Sequence, residues 1–329
     1  EMLRSLVGSE MCIRDRFVLS GIIMAKGGIS KKLFDVFAYF LGKFTAGMPC
    51  AVIVTCLFYG AISGSAPATV AAVGSMTIPI LTNLGYDLTF STAIVAVAGG
   101  LGVIIPPSIP FIMYGMASGA SVSDLFLAGI VPGLMIGALL MIYAIYHCKR
   151  YGEDKAKIHA EVQELHDKGL LKVLKESFFA LLSPVIILGC IYSGVASPTE
   201  AAVISVFYAL IISLFVYKSI HIRDIWGILV EAIRTFTPIL FILAASTAFS
   251  RVLTLMQVPQ TVSEFILNNF HSPVAILLII NLFLLIVGMV MDTTPAILIL
   301  TPILLPIVQA IGMDPVSYTH LTLPTTPYV

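Results

Sequence analysis

The chain has 329 residues, of which 58% are hydrophobic and only 11% charged, and its mean hydropathy is +1.02. Soluble domains carry about 25% charged residues, so this chain has too few to cover a surface that faces water. Its formal net charge of zero also excludes the broad basic surface that recruits nucleic acid. Because the apolar runs are long and do not alternate with polar residues, we expect an all-α polytopic membrane protein.

Both ends of the chain differ in pattern from the rest. Residues 1–16 are charged and aperiodic, and residues 317–329 are out of register with the apolar segment before them. Residues 1–16 also lack the apolar core and cleavage site of a signal peptide. We therefore expect both stretches to be non-native flanks, and residues 17–316 to be the internal part of a longer protein.

Residues 17–148 form the first predicted repeat, in which a scaffold helix precedes two interrupted segments. The apolar stretch 66–84 contains Pro67 and Pro79, which favours a re-entrant helical hairpin over a straight span. The stretch 88–118 is long enough to span the bilayer but is predicted to be a broken helix.

The break in that helix is predicted between Gly99 and Pro107, where three glycines and two adjacent prolines cannot continue an α-helix. At membrane depth such backbone is tolerated only where protein buries it or where it lines a cavity. The carbonyl groups freed by the break are therefore candidate ligands.

A charged connector over residues 149–175 is predicted to join two halves of the chain. It mixes both signs at helical spacing, which is typical of a solvated or interfacial helix. Residues 176–316 form the second predicted repeat, with scaffold helices and a truncated second hairpin over residues 292–311. Basic residues in the connector and in the loop two spans later place both loops on the cytoplasmic side.

The two halves carry matching interruptions. Pro67 and Pro295 lie 228 residues apart, and the turn glycines Gly85 and Gly312 lie 227 residues apart. Paired, broken and hydroxyl-bearing segments in two halves of an apolar chain indicate the binding site of an inverted-repeat transporter.

Ser63 and Ser65 are the candidate ligands of the first interruption. Their hydroxyls precede Pro67 and, with the carbonyls of the break at 102–107, could form an oxygen cage for an alkali cation. Small residues also allow close helix packing, which explains an isolated Ser-Gly-Ser equally well. The matching second interruption favours the ion site.

Asp292 is the candidate charge of the second interruption. A carboxylate inside the membrane is costly and marks a functional site by default. It could also cap the helix that follows it. Thr293 and Thr294 would then correspond to Ser63 and Ser65.

Other polar residues have structural explanations. Ser197, Pro198 and Glu200 fit a capping box with proline at the first helical position. No transition-metal site is predicted, because the cysteines lack ligand spacing and suit packing instead. These cysteines are Cys12, Cys50, Cys56, Cys148 and Cys190.

The sequence contains no nucleophile–base pair and no phosphate-binding loop. We therefore expect a protein that is not an enzyme and whose transport draws on an ion gradient or on another subunit. An intramembrane enzyme with Asp292 as its acid is a less favoured alternative, because an aspartyl protease needs a second buried aspartate.

Four motifs resemble those of the large membrane subunit (DctM-type permease) of tripartite ATP-independent periplasmic (TRAP) transporters: GAISGSAPATVAAVGSMTIPIL, GGLGVIIPPSIPFIMYG, SGVASPTEAAV and MDTTPAILILTPILLPIVQAIGMDP. The resemblance covers residues 17–316 in order. It implies a multi-pass protein of the bacterial inner membrane, with an elevator-type transport domain similar to that of the ion-transporter superfamily. It also implies sodium-coupled import of organic acids such as C4-dicarboxylates or sialic acid. The implied partners are a small membrane subunit, a periplasmic substrate-binding protein, the carboxylate solute and the lipid bilayer.

The resemblance further implies the site residues. The first sodium site would be formed by Ser63 and Ser65 together with backbone carbonyls around Gly102, Ile105 and Pro107. The solute and a second sodium ion would bind near Asp292, Thr293 and Thr294. Compared with the family pattern, the early helices and the broken helix of the second half are absent, so this chain is expected to be inactive alone. The alternative is a stand-alone sodium/carboxylate symporter that needs no binding protein.

Overall fold

The computed structural model describes residues 15–322 apart from 168, 271 and 292. The described residues form α-helices and no strands. Helix α1 covers residues 15–26, and the others are α2 (Ile29–Leu41), α3 (Gly47–Ser63), α4 (Ala66–Asn83), α5 (Leu88–Gly100), α6 (Ile109–Ser118), α7 (Val122–Tyr151), α8 (Lys155–Asp167), α9 (Leu170–Tyr192), α10 (Pro198–Ile211), α11 (Asp224–Leu255), α12 (Val258–Asn269), α13 (Pro273–Gly288), α14 (Thr293–Ala310) and α15 (Pro315–Thr322).

In the part of the chain that the structure describes, five helical segments are long and apolar enough to cross a membrane: Val122–Tyr151, Leu170–Tyr192, Pro198–Val216, Asp224–Leu255 and Thr293–Ala310. The third of these is α10 extended by a π-helical turn. A spanning helix needs about 20 residues, so these lengths suit the bilayer. The prediction of an all-α polytopic membrane protein is confirmed.

Helix α3 lies at the centre of the first half. It packs against α2, α4, α5, α7 and α9. Fifteen of its 17 residues are buried, so protein rather than lipid surrounds the point where it ends. Cys50 and Cys56 are among its buried residues, as expected for packing cysteines, whereas Cys12 lies outside the described residues.

The structure differs from the hairpin predicted within residues 66–84. That stretch is a single helix, α4, which continues through Pro79. A proline removes only one backbone hydrogen bond, and inside membranes neighbouring elements tolerate that loss. The hairpin is instead formed by α4 and α5, which pack against each other along their length. In the second half, α14 likewise runs through two prolines where a hairpin was predicted over residues 292–311.

The turn between α4 and α5 has identifiable causes. Gly85 has a φ of +94°, which residues with side chains rarely adopt. Asp87 caps α5, because its Oδ2 accepts a hydrogen bond of 3.1 Å from the amide of Phe90. That bond to the charged form lowers the pKa of the Asp87 carboxyl below its usual value.

The turn of this hairpin is hydrogen-bonded to the segment that follows α7. Glu153 Oε1 accepts hydrogen bonds from the Tyr86 hydroxyl at 3.0 Å and from the Ala46 amide at 2.7 Å. Burial, and then the nearby Glu153 charge, raise the pKa of Tyr86. The phenol therefore stays protonated and remains a donor to Glu153.

The capping box predicted at the start of α10 is confirmed. The amide of Ser197 donates to Glu200 Oε2 at 2.8 Å, and the amide of Glu200 donates to Ser197 Oγ at 3.3 Å. Pro198 occupies the first turn, where its missing N–H costs nothing. Glu200 is thus explained as a structural residue.

Candidate functional site

The first helix break separates α3 from α4. Helix α3 ends at Ser63, and Gly64 follows in the left-handed conformation with a φ of +61°. Glycine is the usual residue at such a helix end, because it has no Cβ to strain. Ser65 is extended, and Pro67 lies in the first turn of α4, where proline is well accommodated. The Gly-Ser-Ala-Pro sequence therefore dictates this break.

The second break separates α5 from α6. After α5 a short 3₁₀ turn covers Leu101–Val103, and regular helix resumes at Ile109. Pro106 and Pro107 have no N–H, so they cannot donate the helical bonds that the carbonyls of Gly102 and Val103 would otherwise accept. The Val103 carbonyl accepts from Ser108 Oγ instead. The carbonyl of Gly102 is left without its helical partner.

The two breaks lie against each other. The amide of Ile109 donates a hydrogen bond of 3.2 Å to the carbonyl of Gly64. A Cβ added to Gly64 would lie 2.8 Å from the carbonyl oxygen of Pro107. Gly60, one turn before the end of α3, contacts Gly102 so closely that a Cβ on Gly60 would lie 2.4 Å from the Gly102 Cα, and a Cβ on Gly102 would lie 3.2 Å from the Gly60 Cα. The backbones of α3 and of the second break are therefore in direct contact at Gly60 and Gly102.

A chain of buried hydroxyls fills this junction. Ser63 Oγ and Thr69 Oγ1 are 2.8 Å apart, and Thr69 Oγ1 donates to the carbonyl of Ser65 at 2.8 Å. Ser63 Oγ lies 3.3 Å from that same carbonyl. The side chain of Thr69 also reaches Gly102, since a Cβ added there would lie 2.5 Å from Thr69 Oγ1.

Four of the five residues predicted for the first sodium site come together here. Ser63, Ser65, Gly102 and Pro107 all lie at the junction. For Ile105 the predicted ligand is its backbone carbonyl, and this stays a prediction. Its side chain packs toward α7, where a Cβ added to Gly133 would lie 2.7 Å from its Cδ1.

Thr69 is a site residue that the sequence analysis missed. It is fully buried, and its hydroxyl links Ser63 to the Gly102 backbone. Its spacing offered one signal: it lies four residues after Ser65, and threonine in a helix commonly donates to the carbonyl of residue i−4.

The second interruption contributes Thr293 and Thr294, the first two residues of α14. Both side chains are buried. Asp292, the carboxylate predicted beside them, lies outside the described residues.

A cavity of about 530 Å³ joins the two interruptions. Its walls come from α1, from both sides of each helix break, and from α11 and α14. The lining residues that carry polar side chains are Lys26, Tyr59, Ser65, Ser75, Glu231, Thr235, Thr293 and Thr294. Its size suits a small organic molecule, and its hydroxyl and carbonyl oxygens are the ligands that hard cations prefer.

Comparison with known proteins identifies relatives over most of the chain. A family model described as the tripartite ATP-independent periplasmic transporter, DctM component, matches residues 2–323. The isethionate TRAP transporter permease of Oleidesulfovibrio alaskensis is 44% identical over 302 residues, which are 92% of this chain and 47% of that protein. The C4-dicarboxylate large permease of Pseudomonas aeruginosa is 39% identical over 300 residues, 91% of this chain and 69% of that protein.

The sialic acid large permease of Vibrio cholerae is 33% identical over 302 residues, 92% of this chain and 69% of that protein. The chain thus spans about half the length of the first relative and about 70% of the other two.

Proposed function

The chain belongs to the DctM component family of TRAP transporters, and we propose that it forms the sodium and solute site of a permease that imports a small organic anion. Members of this family are permease subunits of the inner membrane, not enzymes. The predicted TRAP permease family, the prediction that the protein is not an enzyme, and the predicted inner-membrane localisation are therefore confirmed. The solute, the coupling ion and the partner subunits belong to the proposal.

One observation carries the proposal: the first helix break, where the buried Ser63 and Thr69 hydroxyls meet at the Ser65 carbonyl, adjoins a cavity that Ser65 and the second interruption both line. Ser65 faces this cavity from the first half, and Thr293 and Thr294 face it from the second. Helix breaks that face each other are where secondary transporters bind coupling ions and substrate.

Sodium coupling follows from the chemistry of the junction. Sodium is a hard cation that needs several oxygen ligands at once. The junction supplies the Ser63 and Thr69 hydroxyls together with carbonyls such as that of Gly102. A cation held there would attract an anion into the adjoining cavity, so that each ligand favours the binding of the other.

The names of the relatives suggest the solute class. They include a sulfonate (isethionate), C4-dicarboxylates and sialic acid. A small organic anion is common to all three. We propose that a small membrane subunit and a periplasmic binding protein act with this chain, as the family name implies.

The test is uptake into proteoliposomes by the intact permease, assembled with its small subunit and its binding protein. Succinate, sialic acid and isethionate are supplied with an inward sodium gradient or with sodium replaced by potassium. We expect uptake of at least one anion, and only with the sodium gradient. Equal uptake in potassium, or uptake that follows a proton gradient alone, would contradict sodium coupling.

A further inference from the structure

The cavity holds one pair of opposite charges that the proposed function does not yet use. Lys26 is the last residue of α1, Glu231 lies in α11, and the Lys26 ammonium is in ion-pair contact with the Glu231 carboxylate. Among the cavity-lining residues that the structure describes, these are the only formal charges. An organic anion that enters the described part of the cavity therefore meets a single cationic side chain.

We propose that Lys26 binds the anionic group of the solute, and that Glu231 is a positioning residue that holds the Lys26 ammonium at the cavity wall. This inference rests on the proposed function and names the residue that would recognise the solute charge. Glu231 acts through Lys26 and does not contact the solute.

Lys26 and Glu231 are exposed enough for the Lys26 ammonium to bind the anionic group of the solute in place of the Glu231 carboxylate. The side chains of Lys26 and Glu231 are 44% and 51% exposed. Ion pairs this exposed contribute little to stability, so the contact opens at little cost. The ammonium has three N–H donors, so it can bond to an arriving carboxylate or sulfonate while Glu231 keeps or releases its own bond.

The position of Lys26 suits a cation. It ends α1, and a helix C-terminus carries the negative end of the helix dipole, which stabilises positive charge. Gly27 and Gly28 follow, and Gly28 has a φ of +70°, so the chain turns away directly after the lysine.

The pairing with Glu231 also explains how one cavity admits two ligands of opposite sign. An unpaired lysine would leave the described walls positive and would repel sodium from the adjoining junction. With Glu231 beside it, the empty cavity is neutral at these residues, and sodium can enter before the anion displaces the carboxylate.

The test measures equilibrium binding of a radiolabelled anion to the purified permease with its small subunit at saturating sodium. The probe is whichever of succinate, sialic acid and isethionate the unmodified transporter takes up. Lys26→Gln should raise the Kd of the anion about tenfold or more, because a charge-assisted hydrogen bond is lost. Lys26→Arg should restore most of the affinity. Sodium binding measured without the anion should keep its half-saturation in Lys26→Arg and should not weaken in Lys26→Gln, in which the unpaired Glu231 leaves the described walls negative.

A matched control is Lys31→Gln, which makes the same change at an exposed lysine of α2 that does not line the cavity. Its Kd should equal that of the unmodified protein.

The neutral double variant, Lys26→Leu with Glu231→Leu, separates solute binding from structural bracing. It replaces the ion pair between α1 and α11 by an apolar contact and removes the cation from the cavity wall. The proposal requires the Kd to stay raised in this variant, even if Lys26→Gln fails to fold. A normal Kd in the double variant, or an unchanged Kd in Lys26→Gln, would show that the pair is only a brace. If the unmodified transporter takes up none of the three anions, the proposed function itself fails.

Discussion

Thr69 connects the polar groups at the junction of the two helix breaks. Its Oγ1 is 2.8 Å from both Ser63 Oγ and the carbonyl oxygen of Ser65, and it lies beside the Gly102 backbone. It thereby adds a side-chain link to the backbone contacts that already join the two breaks. Threonine therefore acts here through its position between the breaks, and its hydroxyl is within reach of an ion bound there.

Replacing Thr69 by valine should raise the sodium concentration for half-maximal uptake by about tenfold or more, because groups that orient or supply ligands typically change ion affinity by this much. The shape of the side chain is conserved, so the fold should be retained. Sodium titration of anion uptake in proteoliposomes measures the effect.

Thr77→Val is the matched control for this variant. Thr77 is also in α4, is also fully buried, and donates to the carbonyl of residue i−4 at the same 2.8 Å. It lies two turns away from the junction, so its sodium dependence should match that of the unmodified protein. Equal shifts in both variants would mean that any buried threonine of α4 matters, and would contradict a special role for Thr69.

For single residues, the sequence predicts which side chains are candidates for the site better than it predicts which residues they contact. Ser63 and Ser65 could be chosen because hydroxyls flank a Gly-Ser-Ala-Pro break. Lys26 and Glu231 could not be paired, because 205 residues separate them and neither belongs to a motif. Only the packing of α1 near α11 brings their charges together.

At the level of helices and turns, the close contact between the two helix breaks depends on glycines. Gly60 in α3 and Gly102 in the 3₁₀ turn let two backbones touch, which leaves room for the Thr69 hydroxyl beside Gly102. This is the usual reason for small residues between membrane helices.

Gly102→Ala should lower the midpoint of thermal unfolding in detergent and weaken sodium-dependent uptake. The added methyl group would lie 2.5 Å from Thr69 Oγ1 and 3.2 Å from Gly60 Cα. Overpacking of this kind costs about 1–3 kcal/mol, and it also displaces the Thr69 hydroxyl.

Gly189→Ala, in α9, serves as the control because nothing lies within 4 Å of the added Cβ. Alanine at an open helical position should raise stability by roughly 0.5–1 kcal/mol. A Gly102→Ala protein as stable and as sodium-dependent as Gly189→Ala would show that the two breaks do not need close contact.

The helices also show that a proline in the sequence does not by itself predict where a helix ends. The pair Pro106–Pro107, with glycines before it, marks a real end of regular helix. Single prolines such as Pro79 and Pro302 lie inside helices that continue unbroken. One lost hydrogen bond is tolerated in a packed membrane helix, whereas consecutive losses combined with glycines are not.

Over the whole molecule, the cavity links the two halves of the chain. Ser65 and Pro67 from the first interruption line the same space as Thr293 and Thr294 from the second. The near-constant spacing of the matching prolines and turn glycines predicted a relation between these segments, but no sequence pattern could supply the distance between them. The membrane class was predictable from composition, because too few charged residues are present to face water, and the all-α class from the long apolar runs that do not alternate with polar residues.

The central claim is that oxygens brought together where these helices break bind sodium next to the solute cavity. Binding of radioactive sodium to the purified protein, without solute, measures this most directly. We predict saturable binding that is lost when both hydroxyls are removed in the Ser63→Ala, Ser65→Ala double variant, with Ser118→Ala as a serine control outside the cavity. Sodium binding of equal affinity in the double variant and in the unmodified protein would contradict the claim.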